Sequence, residues 1–156
     1  EPCTPKGILT LLDYYKISLE GKRVTIVGRS DIVGKPLAIM LSNKKRNATI
    51  TLCHLKTKNL ENITRESDIL ISAMGKPNYI VRDMIKEGAV VIDVGINKID
   101  DLDATSGKRI VGDVDFEQVY DKTSYITPVP GGVGPMTIVS LIQNTLKAVR
   151  LNKTHS

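Results

Sequence analysis

Val24-Thr25-Ile26-Val27-Gly28-Arg29-Ser30-Asp31-Ile32-Val33-Gly34-Lys35-Pro36 is the stretch whose reading decides the fold. Four β-favouring residues lead into a glycine, a short polar turn and a second glycine, and Pro36 precedes the apolar run Leu37-Ala38-Ile39-Met40-Leu41. That order reads as a buried strand, a tight turn and a helix start, since proline is tolerated in a helix's first turn. Such a turn aims free backbone N–H groups and the positive end of a helix dipole at one point. An anion, most often a phosphate, is what that point attracts.

Outward from this corner, strands alternate with helical segments. Strands are expected over 23–27, 48–52, 68–73, 89–94 and 125–127, with 89–94 the best fully buried one. Helical pieces are expected from Gly34 to Ser42 or Asn43, over 60–66 as a short polar helix or loop, over 81–86, and over 116–120 with Asp115 as cap. Thr4 reads as an N-cap ahead of an amphipathic helix from Pro5 to Tyr15 that carries Ile8, Leu9, Leu11 and Leu12. The polar region 97–112 has a hairpin turn signal at Ser106-Gly107. After the stiff loop Pro128-Val129-Pro130-Gly131-Gly132-Val133-Gly134-Pro135, a last helix from Met136 to Leu151 sets Ile138, Leu141, Ile142, Thr145, Leu146 and Val149 on one face. The sum is an α/β chain: a Rossmann-like open parallel sheet with helices on both faces, one domain over 1–156.

Composition agrees. In 156 residues, 41% hydrophobic and 25% charged content is ordinary for a packed domain and argues against whole-chain disorder. With no Trp and one Phe, the core must be Ile, Val and Leu, as a buried parallel sheet requires. The net charge of +5 favours anionic ligands, although a solvated lysine surface accounts for most of it. Lys44-Lys45-Arg46, the one tight basic run, falls where a helix ends and has no aromatic residues interleaved, so helix-dipole complementation explains it and nucleic acid is not a partner. Cys3 and Cys53 form neither a disulfide framework nor a CxxC pair, which fits a reducing compartment. No apolar run reaches about eighteen residues, so no membrane partner is read. The chain opens on Glu1-Pro2 without a Met and reads as a fragment or processed product.

The corner departs from the dinucleotide fingerprint G-x-G-x-x-G, because Ser30 stands at the middle glycine and Gly34 is displaced. Its placement after the first strand and Arg29 within the turn favour dinucleotide binding over a plain connection. In NAD-binding domains an acid ends the second strand and bonds the ribose 2′-OH. Here that strand runs into Cys53-His54-Leu55-Lys56 with no acid, a combination suited to the 2′-phosphate of NADP. His54 reads as a surface or core-edge histidine ahead of a base or a pocket lining, and Cys53 as a small core residue. Asp93, Asp113 and Asp115 match no metal loop and read as turn caps, so no metal site is assigned. Gly75, Gly95 with Ile96 and Asn97, and Gly131 to Gly134 all follow strands, the edge at which open α/β sheets bind ligands. No nucleophile, base and oxyanion set appears.

Pro2-Cys3-Thr4-Pro5-Lys6-Gly7, the block from Gly28 to Pro36, Val91-Ile92-Asp93-Val94-Gly95-Ile96-Asn97, Gly112-Asp113-Val114 and Ile126 through Thr137 resemble bifunctional methylenetetrahydrofolate dehydrogenase/cyclohydrolase. The resemblance runs nearly end to end but covers only that family's C-terminal, cofactor-binding half. It implies oxidation of 5,10-methylenetetrahydrofolate with hydride passing to NADP, then hydrolysis to 10-formyltetrahydrofolate, in one-carbon metabolism and purine biosynthesis. The family's catalytic lysine, tyrosine and folate-binding carboxylate lie in an N-terminal domain, so no catalytic residue carries over, and the helices 5–15 and 136–151 are expected at the junction with it, exposing apolar side chains. What carries over is a cofactor set: Gly28, Arg29, Ser30, Ile32, Val33, His54, Leu55, Ala73, Gly75, Gly95, Ile96, Asn97, Gly131, Gly132, Val133 and Thr137. Gly28, Arg29 and Ser30 would hold the phosphates and Ile96 would lie against the nicotinamide. Leu55 is a departure: relatives commonly place Ser or Arg there against the 2′-phosphate, which leaves NAD open beside NADP. A homodimer and a cytoplasmic or mitochondrial location are implied as well. The rivals are a non-catalytic nucleotide-binding module and a dehydrogenase of the amino-acid or shikimate type; the 130–135 loop argues against the latter.

Overall fold

The structure, a computed structural model, describes residues 1–103 and 107–153. In chain order it contains α1 (Cys3–Tyr14), β1 (Arg23–Val27), α2 (Gly34–Ser42), β2 (Thr49–Cys53), α3 (Leu60–Arg65), β3 (Ile69–Ser72), β4 (Val90–Asp93), β5 (Asn97–Asp100), β6 (Lys108–Val111), α4 (Phe116–Val119), β7 (Tyr125–Ile126) and α5 (Val133–Lys153). Single 3₁₀ turns occupy Arg82–Met84 and Tyr120–Lys122. Five strands form one sheet in the order β2-β1-β3-β4-β7, every pair parallel. The expected open parallel sheet is present. β5 and β6 pair antiparallel outside it, from Asn97 opposite Val111 to Asp100 opposite Lys108. Ser106 of the expected hairpin turn lies outside the described residues.

The strands are buried on both faces because alternate side chains feed two separate cores. Val24, Ile26, Ile69, Ile71 and Ile92 point to one face, where Ile8 and Leu12 of α1 and Leu37 and Leu41 of α2 cover them. Val27, Leu70 and Val91 point to the other, under Leu60 of α3, Met84 and Val119 of α4. Each such side chain, fully withdrawn from water, stabilises the fold by roughly 1.5–3 kcal/mol. Thr25 interrupts the apolar run of β1, but it is satisfied by a hydrogen bond between its Oγ1 and Ser67 Oγ.

Three local expectations are corrected. Pro2, not Thr4, is the N-cap of α1, and no side chain caps that end. The Thr4 hydroxyl instead bonds Thr137 Oγ1 on α5 at 3.0 Å, because the packed helix offers it a polar partner. α5 starts at Val133, three residues before Met136, and runs to Lys153. Pro135 then lies within its first turn, where the missing N–H would have had no intrahelical partner. Arg46 does not serve the end of α2; its guanidinium pairs with both Asp13 carboxylate oxygens and ties the turn after α2 to α1. That cation holds the Asp13 carboxyl below the ordinary carboxylate range.

α1 and α5 pack directly on one another. Lys6 Nζ donates to Asn144 Oδ1 at 2.9 Å, and Asn144 Nδ2 donates to the Glu1 carbonyl at 2.8 Å. Gly7 permits the approach: a Cβ there would lie 3.0 Å from the backbone carbonyl of Met136. The opposite face of α5 is bare, with Ile138, Leu141, Ile142, Leu146 and Val149 all exposed. No helix among the described residues is long and apolar enough to cross a membrane. Gly7→Ala should lower stability by about 1–3 kcal/mol, the cost of overpacking at backbone contact. Gly134→Ala, at a helical position with nothing within 4 Å of the new methyl, should be neutral or gain up to about 1 kcal/mol. Paired thermal melts in which both variants behave alike would remove the helix contact as the cause.

Candidate functional site

The carboxyl ends of β1, β3 and β4 form one edge, and the chain reverses its winding between β1 and β3. Crossovers leave β1 for β2 on one side and return to β3 on the other, so a crevice opens at their ends. Two glycines shape it. Gly28 has φ of +130°, and a Cβ there would collide with the carbonyl of Ala73 after β3. A Cβ on Gly34 would collide with the carbonyl of Gly28. Strand, turn and helix thus meet at backbone contact.

The corner's amides differ from expectation. Ser30 Oγ accepts from Val33 N at 3.1 Å and from Gly34 N at 3.4 Å, and the Ser30 carbonyl accepts from Lys35 N at 3.1 Å. The start of α2 is therefore capped by Ser30, which precedes its N-cap Val33, and Pro36 has no N–H to offer. The amides of Arg29 to Ile32 have no partner among the described residues.

A cavity of about 340 Å³ lies beside this corner, lined by Gly28, Arg29, His54, Leu55, Lys56, Ala73 and Met74. Arg29 is exposed and carries no ion pair among the described residues. Lys56 brings a second cation that the sequence reading did not single out; its charge was visible, but nothing marked it as facing Arg29 across β1 and β2. The His54 ring closes its own loop: Nδ1 accepts from Lys56 N at 3.1 Å, so the neutral ring carries its proton on Nε2. Cys53 is buried, and burial pushes its thiol up, away from a nucleophile's acidity.

A second cavity of about 390 Å³ follows the ends of β4 and β7. Gly95, Ile96, Gly131, Gly132 and Val133 line it, with Ile110, Ile138 and Asp93. Its wall is mostly apolar, and Ile96 stands exposed at it. The two cavities take ten of the sixteen residues expected at the site. Ser30, Ile32, Val33, Gly75, Asn97 and Thr137 line neither. Ile32 is exposed, and Val33 is the N-cap of α2. Gly75 N and Asn97 Nδ2 donate to Asp113, and Thr137 Oγ1 bonds the Val133 carbonyl and Thr4.

Asp93 and Asp113 are buried, and neither has a cation beside it among the described residues. Asp93 Oδ1 accepts from Gly95 N and Asp113 N, and Oδ2 from Val114 N, at 2.8–3.0 Å. Asp113 accepts from Ser72 Oγ, Met74 N and Gly75 N on Oδ2, and from Lys76 N and Asn97 Nδ2 on Oδ1. Of the three aspartates read as turn caps, Asp115 caps locally, toward Gln118 N of α4, Asp93 caps its own turn at Gly95 N and reaches the distant amides of Asp113 and Val114 as well, and Asp113 has only long-range donors. The described residues hold no group of three His, Cys, Asp or Glu able to bind a metal.

Residues 2–153 match the family model described as tetrahydrofolate dehydrogenase/cyclohydrolase, NAD(P)-binding domain. The chain belongs to that family. It is 57% identical to the bifunctional protein FolD of Thermodesulfovibrio yellowstonii over 97% of its own length and 50% of that protein. The crystal structure of FolD, a methylenetetrahydrofolate dehydrogenase/cyclohydrolase from Campylobacter jejuni, superposes with a TM-score of 0.89 at 53% identity, over 97% of this chain and 51% of that one. The Trypanosoma brucei enzyme, solved with NADP cofactor and an inhibitor, superposes with a TM-score of 0.88 at 42% identity, over 96% and 52%. The chain thus spans about half the length of the relatives it matches.

Burial pushes the Asp93 carboxyl up to about 6, against the three N–H bonds that pull it down. Between the ordinary value of 3.8 and about 6, the folded chain holds a proton that the unfolded chain has released. Stability from this group is complete below 3.8 and is lost as pH climbs through about 6, a change of roughly 3 kcal/mol. Denaturant melts of the parent and Asp93→Asn from pH 4 to 7 should show the parent losing ground to the variant as pH rises. A pH-independent difference would mean the carboxyl does not titrate in that window.

Proposed function

We propose that this chain is the cofactor-binding half of a bifunctional enzyme that oxidises 5,10-methylenetetrahydrofolate to the methenyl form and hydrolyses that to 10-formyltetrahydrofolate. NADP is the cofactor, and when bound it supplies the hydride acceptor. The observation that carries the reading is the corner at Gly28: a backbone cradle that a Cβ would fill, flanked by Arg29 and Lys56, at a β2 end without a carboxylate. An acid there would repel a 2′-phosphate, whereas two cations attract it.

The chain's own residues bind and orient. Gly28, Ser30, Ile32, Val33, Ala73 and Gly75 form the phosphate side, with Arg29, His54, Leu55 and Lys56 around the 2′-phosphate. Gly95, Ile96, Asn97, Gly131, Gly132, Val133 and Thr137 form the nicotinamide side, where an apolar wall excludes water from the transferring hydride. The folate site and the catalytic side chains belong to the other half of the protein. The bare stripe of α5 is where that half docks, since five large apolar side chains on one helix face are costly to leave in water. The enzyme is a homodimer of the cytoplasm or mitochondrion. Leu55 supports one second reading, use of NAD, because leucine cannot donate a hydrogen bond to a 2′-phosphate.

Arg29→Ala should weaken NADP by about 1.5–3 kcal/mol, the worth of a charge-assisted phosphate contact, and NAD by much less. Calorimetric titrations of both cofactors decide it, and equal losses would remove Arg29 as the contact to the 2′-phosphate. Separately, this chain alone should not turn over methylenetetrahydrofolate with NADP, while the chain joined to the other half of the enzyme should. Turnover by the chain alone would place catalytic groups within it.

A further inference from the structure

The phosphate-side and nicotinamide-side cavities are linked beneath the surface by Asp113, to which the proposed function gives no role. The loop after β3 supplies Ala73 and Met74 to the first cavity, and this loop is held at its base by Asp113: Met74 N donates at 2.8 Å, Gly75 N at 3.2 Å and Lys76 N at 2.9 Å. The loop after β4 supplies Gly95 and Ile96 to the second cavity, and it too is held by Asp113, through Asn97 Nδ2 at 2.9 Å. Gly95 is bare so that the carboxylate fits, since a Cβ there would run into Asp113 itself. Asp113 is fixed in turn by Asp93, whose Oδ1 accepts from the Asp113 amide at 3.0 Å. Gly112 returns the arrangement, as a Cβ on it would meet the Asp93 carboxylate. Each aspartate thus lies against the glycine beside the other, and the motifs Asp93-Val94-Gly95 and Gly112-Asp113 interlock.

We propose that Asp113 is a positioning residue for the dinucleotide: by gripping the loops after β3 and β4 with one carboxylate, it sets the separation between the two ends of the cofactor site. It touches neither end of the ligand and acts through Met74, Gly75, Lys76 and Asn97. The inference rests on the proposed cofactor reading. A ligand that spans both ends depends on their separation, and a ligand that occupies one end does not. A carboxylate that merely stabilised the fold would affect both ligands alike.

Asp113→Asn replaces one accepting oxygen by an NH₂ group and leaves one set of donors without a partner. In the full-length protein, calorimetry with NADP and with adenosine 2′,5′-bisphosphate, which reaches only the Gly28 end, separates the outcomes. NADP affinity should fall on the order of tenfold or more, as misplacement of a bound group costs, while the bisphosphate changes by less than about twofold. Equal losses for the two ligands in a folded variant, or no loss for either, would overturn the proposal. Failure of the parent itself to bind NADP would instead overturn the cofactor reading. Ser72→Ala removes one donor to Asp113 Oδ2 and leaves the carboxylate in place. It should show the same split at smaller size, and unchanged affinities for both ligands there would count against Asp113 even if Asp113→Asn does not fold.

Discussion

Backbone contact between Gly28 and Ala73, repeated between Gly34 and Gly28, is the constraint on which the remaining architecture depends. It brings the end of β1, the loop after β3 and the start of α2 together with no side chain between them. A methyl group at either glycine would separate the helix from the sheet or the first strand from the third. Because β3 is the central strand and β1 its neighbour, any such separation would open both cores, one under Leu37 and Leu41 and the other under Leu60 and Met84. The ligand crevice is then a by-product of packing: where the winding reverses, no helix covers the strand ends.

Much of this was legible in the sequence, and the reasons are physical. Strands buried on both faces must be continuous apolar runs, so 23–27 coincides with β1 and 89–94 overruns β4 by one residue at each end. Arg29, Gly28 and the acid-free stretch after Cys53 are local features, and the structure brings them to one cavity. What escaped were interactions whose partners lie far apart in the chain. Asp113 reads as a turn residue because its donors lie 16 to 41 positions away. Thr4 carries every mark of an N-cap, yet its partner is Thr137. Ser30 reads as a ligand to phosphate, and whether its hydroxyl instead takes the amides at the start of α2 is a matter of turn geometry that residue types do not encode. Lys56 was plainly a cation, but its neighbour across the sheet was not.

The exposed stripe on α5 belongs to the same class of problem. Its periodicity was plain, and periodicity says that a helix has an apolar face without saying what covers it. α1 illustrates the other outcome, with Ile8 and Leu12 fully buried against the sheet. Between the two helices the contact is polar and close, through Lys6, Asn144, Thr4, Thr137 and the bare Gly7. α5 is thus anchored by hydrogen bonds on one side, and Leu141, Ile142, Leu146 and Val149 stand exposed along it.

Why two buried carboxylates should underlie a site for an anionic cofactor follows from counting donors. Six backbone amides are directed at the two carboxylates: those of Met74, Gly75 and Lys76, part-buried, and those of Gly95, Asp113 and Val114, buried. Each of the three buried ones would cost about 1–3 kcal/mol if left unpaired. A neutral side-chain carbonyl accepts about two hydrogen bonds, whereas a carboxylate accepts about four and binds each more strongly. Two aspartates therefore satisfy all six amides, with Ser72 Oγ and Asn97 Nδ2 besides. Burial pushes the Asp93 carboxyl up to about 6, while the bonds from Val114, Asp113 and Gly95 N–H pull it the other way.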